Sequence, residues 1–140
     1  MQPLHQAFLQ INTDLDALAQ VLEWFDQFNV EPIPPSTWME CQLALAEGFT
    51  NAVRHAHYGK SVDLLIDLEV QVFADRIEIR IWDQGDHFDL DHRLRNMPSM
   101  DTEAEGGRGL RLMDKIADVL SYTRTQDARN CLLITKKYAT

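Results

Sequence analysis

From Val62 to Val72 the chain alternates. Val62, Leu64, Ile66, Leu68, Val70 and Val72 are separated by Asp63, Leu65, Asp67, Glu69 and Gln71, the period of a strand with one face buried. Ala74 and Asp75 mark a tight turn. Ile77, Ile79 and Ile81 then alternate with Arg76, Glu78, Arg80 and Trp82, so the two runs predict an antiparallel hairpin. Val119 to Thr125 and Cys131 to Lys137 alternate about a turn at Gln126 to Asn130 and predict a second hairpin that closes the sheet. Ala7 to Ile11 is shorter and only partly alternating, and predicts one further strand.

Elsewhere the period is that of a helix. In NTDLDALAQVLEWFDQF, Leu15, Leu18, Leu22 and Phe25 fall on one face, with Asn12 or Thr13 as cap and Asp14 and Asp16 favourable in the first turn. EPIPPS is too rich in proline to continue a helix, and Ser36 is placed to cap the next one. That second helix is predicted over Trp38 to Gly59, with Met39, Leu43, Ala46, Phe49 and Val53 as its apolar stripe. LDHRLRN predicts a short helix and NMPSMDTEAE a polar loop. Leu110, Met113, Ile116 and Ala117 give the last helix its stripe. The expected fold is a two-layer α/β sandwich in one domain over residues 1–140: a mostly antiparallel mixed sheet with helices on one face.

Composition narrows the function classes. With 140 residues, 45% of them hydrophobic and 25% charged, the chain has the size and make-up of one globular domain. No apolar run approaches the roughly 20 residues that span a bilayer, and MQPLHQAF lacks the regions of a signal peptide, so a cytoplasmic protein is expected. Cys41 and Cys131 have no metal-ligand spacing and are expected to be reduced thiols. A formal net charge of −9 argues against nucleic acid as partner. It does not exclude a single nucleotide, because exposed charges are screened beyond about 10 Å at ordinary salt.

Three clusters carry candidate chemistry. Glu47, Asn51 and His55 recur at i, i+4 and i+8 on the second helix and drift only about 80° round its axis. A carboxamide oxygen there suits Mg²⁺, and a carboxylate one turn earlier is free to take a proton; the alternative is a merely solvated ridge. Asp83 shares the parity of Ile77, Ile79 and Ile81, so it points toward the helices at a strand end, as a cap or a ligand contact. Gly106, Gly107 and Gly109 precede a helix, where free amides and the dipole suit phosphate; the alternative is a flexible turn. The run DHFDLDH collects His and Asp but has no fixed ligand spacing.

ExxxN on a helix, DxG after a strand and GGxGL opening a later helix, in that order, resemble the ATP-binding fold shared by gyrase, histidine kinases, mismatch-repair ATPases and heat-shock chaperones. The chain is most similar to the small bacterial anti-sigma factors that are also serine/threonine kinases. AEGFTNAVRHAHYG, WDQGDHF, EGGRGLRLM and the closing hairpin carry the likeness over nearly the whole length. The resemblance implies ATP and Mg²⁺ as cofactors, a sigma factor and an anti-anti-sigma protein as partners, and a homodimer. It implies Glu47 as general base, Asn51 on Mg²⁺, His55 beside the nucleotide, Asp83 on the adenine amino group and Gly85 leaving room for the base. Gly106, Gly107, Arg108, Gly109 and Leu110 would wrap the triphosphate, with Asn96 to Glu105 as the lid; Arg54 and Arg108 are candidates to steady developing charge.

Two departures from that pattern stand out. His87 replaces the second glycine of DxGxG, at a cost of about 1 to 2 kcal/mol if a left-handed backbone is needed there. Asn130-Cys131-Leu132 stands where the family has Gly-Thr near the adenine. They leave open two other readings: a catalytically impaired module that sequesters a regulatory protein, and a kinase of the same fold without a sigma factor.

Overall fold

The alternating runs become β1 (His5–Asn12), β2 (Leu65–Val72), β3 (Arg76–Asp83), β4 (Val119–Arg124) and β5 (Asn130–Lys137), one sheet in the order β1-β2-β3-β5-β4. The computed structural model describes residues 2–95 and 107–138, and all strand pairs among them are antiparallel, with no parallel member of the expected mixed sheet. The register aligns Leu9, Leu68, Ile81, Leu132 and Tyr122 in one row across the sheet. Two residues further along the strands, Asp83, Asn130 and Arg124 form a polar row. Because side chains alternate with period two, that row has the parity of the core row and lies at the sheet's end. β2 begins at Leu65, later than the alternation predicts, and Val62 is exposed.

Helices α1 (Leu18–Phe25), α2 (Pro35–Asn51), α3 (Leu90–Arg95) and α4 (Gly107–Ile116) complete the fold. α1 is flanked by 3-10 turns at Leu15–Ala17 and Asp26–Phe28, and it is Asp14, not Asn12 or Thr13, whose carboxylate caps the first, accepting from Asp16 N at 2.9 Å. Its inner face carries Val21 and Phe25, with Phe28 following, while Leu15 is exposed. α2 starts at Pro35, ahead of the predicted Ser36 cap.

The buried face of α2 also differs from the predicted stripe. Trp38, Cys41, Ala44, Leu45, Gly48 and Phe49 are inside, whereas Met39 and Leu43 are 64% and 45% exposed. Close approach decides between the two faces. A Cβ on Gly48 would stand 2.6 Å from Ile81 Cδ1, so α2 presses its small residues onto β3 and leaves two large ones in water. α2 packs against both α1 and α4, and α4 buries Leu110, Met113 and Ile116 as its pattern predicts, while Ala117 lies just past its end and is half-buried. The opposite side of the hairpin carries a ladder in which Arg76 and Arg80 both donate to Glu78, at 2.7 and 2.9 Å.

Candidate functional site: a cleft between α2, α4 and the end of β3

α2 does not end in a simple cap. Beyond Asn51 it widens into a π turn over Ala52–Ala56, closed by His57 N donating to Ala52 O at 2.9 Å, a feature frequent at functional sites. The turn exposes His55 and drives His57 inward to 2% exposure. Gln84 N donates to His57 Nε2 at 2.8 Å, which leaves Nδ1 to carry the proton toward Thr13 Oγ1 at 2.7 Å. The Thr13 hydroxyl donates in turn to Leu64 O at 2.6 Å. One neutral imidazole thus ties the end of β1, the entry to β2 and the turn after β3. Burial is the largest influence on His57 and lowers its pKa below 6.5, against the pull of the Asp83 charge.

Asp83 is 4% exposed and sits at the centre of a polar network. Its Oδ1 accepts from Gly85 N at 2.9 Å and from Asn130 Nδ2 at 2.8 Å, and its Oδ2 accepts from Tyr122 Oη at 2.8 Å. Asn130 also donates to Gly85 O at 2.8 Å, and its Oδ1 accepts from Arg124 Nη1 at 3.2 Å. Both groups facing Asn130 Nδ2 are acceptors, which fixes the orientation of the amide; His87 Nδ1, 3.2 Å from Asn130 Oδ1, is then a donor. Burial, followed by the Asp83 charge and hydrogen bond, pushes the Tyr122 phenol far up, so it stays protonated.

Gly85 needs its missing side chain for a reason internal to the protein. A Cβ there would lie 2.3 Å from Ala56 O, so the turn after β3 packs backbone to backbone against the end of α2. His87 is not in the left-handed region, since Ala128 is the sole non-glycine residue of positive φ among the described residues. The condition under which His87 would be strained is therefore not met. The His87 ring instead stacks on Tyr122 with centroids 5.3 Å apart, and Phe88 meets the same tyrosine at 4.6 Å.

On the other side of the cleft, the start of α4 reaches the polar ridge of α2. A Cβ on Gly109 would come 2.9 Å from Glu47 Oε2 and 3.4 Å from both Asn51 side-chain polar atoms. Glu47, Asn51 and Gly109 are thereby gathered at one place; Gly107 opens α4, and in the same turn Arg108 is exposed and Leu110 buried. Gly106 and the segment Asn96 to Glu105, expected to be the lid, lie outside the described residues. Asn51, Ala52, His55, Asp83, Leu110 and Tyr122 line a common cavity, together with Phe88 and Arg93. The cavity is open on one side and offers about 50 Å³, less than the roughly 150 Å³ that takes a benzene ring.

The donor set fits a magnesium nucleotide. An amide oxygen from Asn51 suits a hard cation that keeps its waters and phosphates, the backbone of α4's first turn comes up to it at Gly109, a helix start being a place where anions bind, and Asp83 offers a buried acceptor in the same cavity. No group of three or more His, Cys, Asp and Glu side chains stands ready to hold a metal among the described residues. The DHFDLDH run is dispersed: His87 stacks on Tyr122, and Asp89 accepts from His92 N at 3.0 Å at the start of α3.

Sequence pattern alone missed Tyr122, Arg93 and the inward turn of His57. The alternation of β4 carries the signal for Tyr122, which shares the parity of Leu120. Nothing in a regular helical period anticipates the π turn that buries His57. No helix among the described residues is long and apolar enough to cross a membrane.

A family model described as the histidine kinase-like ATPase domain matches residues 11–136. The serine-protein kinase RsbW of Bacillus subtilis is 36% identical over 85 residues, covering 56% of this chain and 52% of that protein. RsbW of Staphylococcus epidermidis is 38% identical over 85 residues, covering 56% and 54%. The matched stretch thus spans about half the length of these curated relatives. A crystal structure of the RsbU and RsbW domains of Rv1364c from Mycobacterium tuberculosis superposes with a TM-score of 0.67 at 12% identity, over 96% of this chain and 32% of that one, a likeness of fold. With the family match running from β1 into β5, the chain belongs to the histidine kinase-like ATPase domain family.

Proposed function

We propose that this protein is an ATP-dependent protein serine/threonine kinase of the anti-sigma type. It binds a sigma factor and phosphorylates an anti-anti-sigma protein, acting as a homodimer in the cytoplasm. The observation that carries the reading is the meeting of Gly109 with Glu47 and Asn51, supported by the likeness to the serine-protein kinases RsbW. In this reading Asn51 would hold Mg²⁺, the Gly107 to Leu110 turn would bind the triphosphate, and Asp83 would take the base. The bound magnesium supplies charge neutralisation at the polyphosphate. Glu47 accepts the proton of the incoming hydroxyl, and positioning and electrostatics supply most of the rate.

Incubation with radiolabelled ATP and a candidate antagonist tests the reading. Label transfer with wild type, lost in Glu47→Gln while nucleotide still binds, supports it; no transfer with a bound antagonist overturns it. A sigma factor recovered with the protein from its native cell supports the anti-sigma assignment, and its absence favours another pathway. The narrow cavity beside Tyr122 and Phe88 favours a second reading, a module that holds a partner without phosphorylating it. Tight partner binding without nucleotide binding would establish that one.

A further inference from the structure

The shell around Asp83 determines more than its position. A carboxylate has about four acceptor sites. Among the described residues Oδ1 takes two donors, Gly85 N and Asn130 Nδ2, and Oδ2 takes one, the Tyr122 hydroxyl. One acceptor site is left, on Oδ2. Burial of Asp83 to 4% exposure keeps bulk water from making good an unpaired donor, and such a donor is costly.

The shell is also held from outside. Asn130 is 0% exposed and uses its amide in both directions, donating to Asp83 and Gly85 while accepting from Arg124. The ring of Tyr122 is stacked on His87, with Phe88 against it. Rotation of the tyrosine away from Oδ2 would break the stack and the hydrogen bond together.

We propose that Tyr122, backed by Asn130, makes Asp83 a single-acceptor reader of the nucleobase, so that Tyr122 sets the discrimination between amino- and oxopurines. This rests on the nucleotide reading above and deepens it. The 6-amino group of adenine brings one N–H into line with the one remaining acceptor. Guanine offers a carbonyl at that position; turned over, it offers two adjacent N–H donors, which need two free acceptors. With Oδ1 filled and Tyr122 on Oδ2, one of those donors stays unpaired in a buried site.

The test is calorimetric titration of the full chain with magnesium and non-hydrolysable ATP and GTP analogues, comparing wild type with Tyr122→Phe. Phenylalanine keeps the ring stack and removes only the hydroxyl. The adenine-to-guanine affinity ratio is expected to fall by about tenfold or more, at unchanged stoichiometry. A general loosening of the fold would lower both affinities and leave the ratio in place. A ratio within twofold of wild type overturns the proposal. Should Tyr122→Phe fail to fold, Asn130→Ser frees an acceptor on Oδ1 and must move the ratio the same way; an unmoved ratio overturns the proposal again. A wild type that binds neither analogue overturns the nucleotide reading along with it, whereas adenine binding with unmoved ratios overturns this assignment alone.

Discussion

The backbone of Gly109 stands over the carboxylate of Glu47, so close that a methyl group on residue 109 would lie 2.9 Å from Oε2. Glu47 comes from near the C-terminal end of α2 and Gly109 from the first turn of α4. Their contact brings an acid, an amide and a helix start to one point.

Gly109→Ala is expected to separate binding from folding. The clashing atom is the far end of a flexible side chain, and alanine favours a helix by about 1 kcal/mol over glycine, so stability should change by less than about 1 kcal/mol. Nucleotide affinity should fall at least about tenfold, because the methyl group fills the gap between the α4 amides and the Glu47–Asn51 ridge. Calorimetry and a thermal melt of the same variant check both halves.

Gly85→Ala should do the opposite. Its Cβ would meet Ala56 O at 2.3 Å and Ala56 C at 2.8 Å, backbone atoms that cannot swing aside. Overpacking of this kind costs about 1 to 3 kcal/mol, and the melting temperature should drop by several degrees. An unchanged melt would contradict the backbone contact described here.

His57 makes stability depend on pH. Burial first, against the Asp83 charge, holds its folded pKa below the ordinary 6.5. Between those two values the unfolded chain carries the extra proton, so stability rises with pH there. The imidazole's contribution is complete above pH 6.5 and is lost as pH falls through the folded value, when Nε2 can no longer accept from Gln84 N. NMR titration of the His57 ring should give a midpoint below 6.5, with the Gln84 amide shifting in parallel.

Cys41 should be inert in the native state. It is 0% exposed, and burial followed by the Glu40 charge pushes its thiol up to about 12. A thiol reagent at pH 8 should leave Cys41 unmodified until urea unfolds the chain, as peptide mapping would show.

Much of this architecture is legible in the sequence. Alternation located β3 and β5, and the parity of Asp83 with Ile77, Ile79 and Ile81 placed it on the helix side, where it is buried. The i, i+4 spacing of Glu47 and Asn51 survives because α2 is regular as far as Asn51. Pattern failed where tertiary contact outranked residue size. Met39 and Leu43 look like core, yet the small face of Cys41, Ala44 and Gly48 won because it lets α2 approach the sheet. His87 looked like a strained substitute for glycine, but its backbone is ordinary and its ring has Tyr122 to stack on. Such pairings across distant strands leave no local trace.

Gly109 and Met113 are one turn apart on α4. The first faces Glu47 and Asn51, and the second brings its sulfur to the spot beside Gly48 where Ile81 and Leu132 also meet. A single stiff turn therefore joins the reactive edge of the molecule to its innermost packing, with no soft joint between them. An anion gripped at one end will be felt at the other as slower hydrogen exchange at the amides of Ile81 and Leu132.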